Sequence, residues 1–298
     1  MDIHVPSQFN RHSMYTLINR VIDADKLPRD EKFIFDFRTL SFIEPVGITV
    51  LSNLIQWLFR RNIQVGVRYN EAEIHNRRSP IKYLDDSMFF QHYAGKTFNP
   101  NASLRETTLP LEHVAYNRSY QWIQDKFITW LSYRLNLSRA SFDNIKICME
   151  EIFNNINDHA QENIGCVFAQ EYPNINEIRV AISDFGVGIP YNVQQQLPFL
   201  DDCEAILEAT NEGFTTKSTP GNRGAGLDTL IRNVVNNNQG SIHIHSNHGI
   251  VSFTHGYDGI CVDKKQSDSF YPGTLLEIVL RTDTIPQIEE QEEEFEWL

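Results

Sequence analysis

Cys148–Ala160 reads CMEEIFNNINDHA, and the rest of the chain is best read outward from it. Two registers put a carboxylate and an amide four residues apart, hence on one helix face: Glu150, Asn154, Asp158 and Glu151, Asn155, His159. At about 100° per residue, Ile145, Met149, Ile152 and Ile156 define the buried face. The Glu150 stripe then points to solvent, and the Glu151 stripe lies at the flank, where a helix borders a pocket. Glu151 and Asn155 are therefore the candidate pair. An Asn carbonyl is a hard oxygen ligand suited to Mg2+, which is usually held by few protein groups. A Glu one turn earlier can orient or deprotonate a nucleophile near a γ-phosphate. Taken alone, the segment reads better as an ordinary amphipathic helix.

Upstream, Tyr116–Leu135 carries Tyr120, Ile123, Phe127, Trp130, Leu131 and Leu135 as one apolar stripe. A turn at Asn136–Ser138 leads into a second helix from about Ser141 to Gln161. Downstream, strands are expected at Ile178–Ser183, Ser241–His245, Ile250–His255 and Thr274–Leu280, with a helix over Gly226–Asn237.

Three downstream segments carry further chemistry. In AISDFGVGIP, Ala181–Pro190, a strand ends in Asp184, followed by Gly186 and Gly188. A carboxylate there can accept the exocyclic amine of adenine, and glycines let backbone approach the base. In EGFTTKSTPGNRGAGLDTL, Glu212–Leu230, Gly221, Gly224 and Gly226 precede a helix. Its N-terminus offers unpaired N–H groups and about half a positive charge to a phosphate, with Lys217 and Arg223 adding charge. The run does not follow a strand directly and lacks the GxxxxGK[ST] pattern, so neither a dinucleotide fold nor a P-loop is indicated. In PGTLLEIVL, Pro272–Leu280, the hydroxyl of Thr274 can hydrogen-bond near the base. Each segment alone is weak.

In this order and spacing, the four resemble the GHKL ATPases: gyrase, the heat-shock chaperone ATPases, histidine kinases and MutL. Glu151-Ile-Phe-Asn-Asn155-Ile-Asn-Asp-His159 resembles the N box, Asp184-Phe-Gly-Val-Gly188 the first glycine box, Gly224-Ala-Gly226-Leu the second and Gly273-Thr274 the last. Phe214-Thr-Thr216-Lys217 is similar to the lid segment of histidine kinases. The resemblance covers roughly Leu109–Arg281. It implies that ATP and Mg2+ are the cofactors, that Glu151 is the catalytic or water-orienting carboxylate, that Asn155 is the Mg2+ ligand and that Asp184 reads adenine. His159, Gly186, Gly188, Thr216, Lys217, Arg223, Gly224, Gly226 and Thr274 complete the implied cofactor-binding set. Residues between Pro190 and Arg223 would form a mobile lid. The implied fold is an α/β sandwich with a mixed, mainly antiparallel sheet.

The front of the chain reads differently. KFIFDF (Lys32–Phe37) has strand character, Ile48–Phe59 helical spacing, and Asn62–Tyr69 strand alternation, which together imply a parallel crossover unit. Phe33–Tyr69 resembles a STAS domain, the anti-anti-sigma fold, with Gly47 opening the helix. That family commonly has Asp-Ser-Ser-Gly where this chain has Glu44-Pro45-Val46-Gly47, so neither Pro45 nor Val46 offers a hydroxyl for phosphate, and Ser41 is a poor substitute. The entry into the second helix also resembles the anti-sigma serine kinases. A sensor histidine kinase is disfavoured, because His113 follows Pro110 with no long helical hairpin around it.

Expected overall is an α+β chain: a STAS-like domain over residues 1–103, a GHKL ATP-binding domain over 104–284 and an acidic tail over 285–298. The formal net charge of −13 repels phosphate backbones, so no nucleic-acid partner is expected. The most apolar stretch, Phe42–Phe59, is interrupted by Glu44, Pro45, Ser52, Asn53 and Gln56, so no membrane span is expected. Without a CxxC pair or a leader-like start, a reduced, cytoplasmic setting is expected. His243 and His245 share a strand face, which reads as solvated rather than as a zinc site. The tail IEEQEEEFEWL reads as a solvated run of charge, with a docking peptide as the sharper reading. The functional expectation is a signalling protein that binds Mg·ATP and hydrolyses it or passes phosphate to a partner protein, on Ser or Thr rather than His. The alternative is an ATP-gated interaction switch with little turnover. The STAS-like domain or the tail would meet the partner, and a homodimer is expected by family analogy.

Overall fold

The structure, a computed structural model, describes residues 1–113, 116–159, 165–213 and 226–289, with backbone alone for residues 116, 117, 154–159 and 226. In chain order its front part comprises β1 (Asp2–His4), β2 (Gln8–Phe9), α1 (Met14–Val21), β3 (Lys32–Asp36), β4 (Phe42–Ile43), α2 (Pro45–Arg60), β5 (Gln64–Arg68), α3 (Pro80–Asp86) and α4 (Phe89–Ala94). β1, β3 and β5 form a parallel sheet in that order, so the expected parallel crossover is present, with α2 as its helix. Thirteen of the sixteen residues of α2 are buried, including Ser52 and Asn53. A helix buried all round needs cover on more than one side. α2 has it, packing against β5 and against the second sheet described next.

That sheet has five strands in the order β6 (Thr108–Glu112), β7 (Gly165–Tyr172), β8 (Glu177–Asp184), β10 (Gly259–Arg281) and β9 (Ser241–Gly256), all antiparallel. β10 pairs with β9 in two blocks, Gly259–Gln266 and Thr274–Val279, with irregular register around Tyr271. His243 Nδ1 lies 2.8 Å from Ser252 Oγ nine residues on, so β9 doubles back near Asn247, whose φ is +52°. Along β8 and β10 the side chains alternate. Ile178, Val180, Ile182, Leu276, Ile278 and Leu280 face a helical layer, whereas Ala181 and Leu275 join the front part's core.

The helical layer comprises α5 (Tyr116–Trp122), α6 (Thr129–Leu135), α7 (Asp143–His159), α8 (Ile189–Gln194), α9 (Asp202–Ala209) and α10 (Gly226–Ile231). A π turn over Ile123–Ile128 joins α5 to α6, and another, Arg232–Asn237, extends α10. The π turn changes the expected stripe. Trp122 is buried and Tyr120 is 61% exposed, because the wider turn rotates the preceding residues about the helix axis. The molecule is therefore mixed α/β, with the five-stranded antiparallel sheet as a shared middle layer. Its second face is covered by α1 and α2. Among the described residues, no helix is long and apolar enough to cross a membrane.

Several expectations change. The span from Pro190 to Arg223, read as one mobile lid, begins as α8 and α9, the second opened by a capping box at Asp201 and Glu204 with Cys203, Ala205 and Ile206 in the core; from residue 214 on it lies outside the described residues. The apolar stripe on α9 holds it against β9. His243 and His245 are not on a solvated face: they are 8% and 4% exposed, with Tyr15 Oη of α1 meeting His245 Nδ1 at 3.1 Å and the His243 ring held between Ser241 and Ser252. Burial lowers both imidazoles to about 3. His113 follows β6 on a loop, its ring against Ser52 and Tyr93, and burial lowers it to about 4.

Candidate functional site

Asp184 is the last residue of β8 and shares the parity of Ile178, Val180 and Ile182, so its side chain faces the helical layer. In register beside it on β10 is Thr274, and beside that on β9 is Ser246. Three polar side chains from three sequence-distant segments thus form one row at the end of the sheet. Asp184 Oδ1 accepts the Gly186 N–H at 2.8 Å, and the carboxylate also accepts the Thr274 N–H. Ser246 Oγ donates to Gly273 O at 2.9 Å, accepts the Ile189 N–H at 2.9 Å and lies 3.1 Å from Thr274 Oγ1.

Two glycines make this convergence possible. Gly188 (φ +85°) begins α8, and a Cβ there would sit 2.8 Å from both Ser246 Oγ and Asn247 Oδ1. Gly273 (φ +103°) passes so close to Asp184 that a Cβ would sit 2.4 Å from its carbonyl oxygen and from Gly186 N. Either position excludes a side chain on both conformational and steric grounds.

Burial pushes the Asp184 carboxyl up to about 7, against the two N–H groups that hold it down. Beyond these two N–H groups, a carboxylate has lone pairs for further hydrogen bonds. Asn247 Oδ1, beside Gly188, is buried without a hydrogen-bond partner among the described residues. Ser246 and Asn247 escaped the sequence reading. The signal for Ser246 was available: it continues the Ile242, Ile244 parity that sets one face of its strand.

On α7, Cys148 Sγ lies 3.9 Å from Thr229 O and 3.5 Å from Asn233 Nδ2. Glu151, three residues on, lies about 60° round the helix from Cys148, and its charge adds to the burial that raises the Cys148 thiol. Glu150 departs from expectation. Its Oε1 is buried without a partner among the described residues, and burial raises its carboxyl against the lowering charge of Lys146, because α5 closes over that flank. Asn155 and His159 lie on the C-terminal part of α7, where side chains fall outside the described residues, and Gly226 opens α10. Thr216, Lys217, Arg223 and Gly224 lie outside the described residues. The structure thus joins Asp184, Gly186, Gly188 and Thr274 in one site and leaves Glu151 on α7, three residues beyond Cys148.

Among the described residues, no cluster of His, Cys, Asp or Glu could by itself hold a metal ion. A cavity of about 280 Å³ opens on the front part, lined by Arg38, Ser41, Asn70 and Arg78 among others, and shares no residue with the Asp184 row. No protein-family model matches the chain, and no curated protein matches it.

Proposed function

We propose that the chain is an ATP-dependent signalling protein whose GHKL-type module binds Mg·ATP and hydrolyses it or transfers the γ-phosphoryl group to a Ser or Thr of a partner protein. The observation that carries this reading is the row Asp184–Thr274–Ser246, in which the D-x-G-x-G and G-T segments meet across adjacent strands. The residues fit an adenine. Asp184 supplies the acceptor for an exocyclic amine, Gly188 and Gly273 leave the backbone bare, and Asn247 Oδ1 has no partner among the described residues. Asn155 would hold Mg2+, and Lys217, Arg223 and the start of α10 would meet the phosphates. Mg·ATP supplies the phosphoryl group, and Glu151 would orient or deprotonate the nucleophile. The front part, with parallel strands flanking a Gly47-containing helix, fits a STAS-like unit that lacks the usual phosphoacceptor.

Calorimetry of the full chain with adenine nucleotide and excess Mg2+ tests the reading. Binding in the parent and its loss in Asp184→Asn is the expected result, and a folded parent that gives no heat at millimolar nucleotide removes it. The second reading, an ATP-gated switch, is favoured by the burial of the sheet's second face under α2. Turnover that disappears in Glu151→Ala while binding persists supports the enzyme; a parent that binds without turnover supports the switch.

A further inference from the structure

The Asp184 row is held from behind. Asn53 of α2 has no solvent exposure, and its Nδ2 donates to Ser183 Oγ at 2.6 Å. Its Oδ1 takes the Cys166 thiol at 3.3 Å. Ser183 Oγ in turn hydrogen-bonds the hydroxyl of Tyr271, a side chain with no exposure. Ser183 immediately precedes Asp184, and Tyr271 lies two residues before Gly273. By strand alternation Ser183 projects to the face opposite Asp184, so the network lies behind the row. Each of the two segments that meet at the row thus carries one residue tied to the same network. Asn53 joins it to the front part through a side chain, and the Thr49 carbonyl of α2 also meets the Cys166 thiol, at 3.6 Å. In a low-dielectric interior such a satisfied network fixes geometry more firmly than its members do separately.

We infer that Asn53 is a positioning residue for the Asp184 site: by holding Ser183 and Tyr271 it sets Asp184 against Thr274, and it thereby couples nucleotide affinity to the docking of the front part on the sheet. The inference rests on reading the Asp184 row as the nucleobase end. By reciprocity, nucleotide that favours the aligned row also tightens α2 onto the sheet.

The test uses the full chain with Asn53→Ala, Ser183→Ala and the double variant, and Leu54→Ala as a control for packing loss on the same buried helix. Mg·ATP affinity is read by calorimetry, Asp184 ionisation by carboxyl carbon NMR, and α2 protection by hydrogen exchange. Expected are about a five-fold or larger loss of affinity in each single variant, no further loss in the double, a displaced Asp184 titration, and slower exchange of α2 with nucleotide. Leu54→Ala should leave the Asp184 titration in place. If Asn53→Ala does not fold, Ser183→Ala, which leaves α2 untouched, carries the same test. A parent that binds nucleotide while Asn53→Ala or Ser183→Ala matches it in affinity and titration overturns the inference and leaves the proposed function standing. Leu54→Ala reproducing the affinity loss and the titration shift overturns it too. A parent that binds no nucleotide removes the function and the coupling together.

Discussion

Arg11 Nη1 lies 2.7 Å from Glu277 Oε2, at the joint where the lead-in to α1 meets the second face of the five-stranded sheet. The carboxylate has no solvent exposure, the guanidinium is about a quarter exposed, and the other carboxylate oxygen is buried without a partner among the described residues. Removing one member of such a pair strands the other's charge.

Arg11→Ala should therefore destabilise the chain by about 3–5 kcal/mol in urea unfolding, whereas replacing both residues with apolar ones should recover much of the loss. A partly buried pair is weakly screened, so the penalty should change little between low and physiological salt.

Asp184 predicts two pH trends of opposite sign. Its carboxyl is raised from 3.8 to about 7, so the fold binds this proton more tightly than the unfolded chain does. The associated stability is complete below about pH 4 and is lost as pH rises through 7. Asp184→Asn should lack that loss, a difference on the order of a few kcal/mol at most by denaturant titration across the range. Nucleotide affinity in the parent should run the other way, rising through pH 7 as the acceptor ionises. A parent whose affinity is flat from pH 6 to 8 argues against Asp184 as the amine acceptor.

The sequence showed the elements whose period was strong and the side chains whose role depends on one neighbour. β3, α2, β5, α7 and β8 were legible because apolar residues recur at their spacing. β7 was not, because its run of buried residues includes Gln170 and Glu171, which are satisfied by Tyr83, Thr108 and Arg134 rather than by water. Asp184 was legible as a strand-end residue; Thr274, read as opening a strand, lies inside β10, and Ser246 depends on pairing between distant strands. The burial of His243 and His245 was invisible because the face opposite the helices carries Ser183, Arg179, Glu277 and both histidines, a composition that reads as solvated. Each finds its partner in the front part or on the sheet itself, as Arg179 does with Glu44 at 3.0 Å.

Glu150 and Glu151 can be separated by turnover. Glu151→Gln should lower ATP turnover by at least about 100-fold with little change in affinity, as expected of a positioned base. Glu150→Gln should leave turnover within about three-fold and raise the melting temperature slightly, because it removes a carboxylate with a buried, unpartnered oxygen. The reverse outcome would assign the role to Glu150.

Gly273→Ala should destabilise by about 2 kcal/mol or more, since its Cβ meets backbone atoms rather than a movable side-chain end. Gly213→Ala, also at positive φ (+83°) but in open space, should cost about 1 kcal/mol. Paired thermal melts distinguish steric exclusion from backbone preference alone.

The cover on both sides of α2 has a consequence for synthesis. Arg11 and Glu277 are 266 residues apart, and β7 and β8, the strands of the sheet that pack on α2, are translated after it. At about 5–20 residues per second, the greasy helix emerges roughly six to twenty-five seconds before its roof exists. During that interval the nascent chain presents a sticky, half-dressed surface to the ribosome's surroundings, so fragments ending before β8 should precipitate or hold a chaperone, and the intact polypeptide should not.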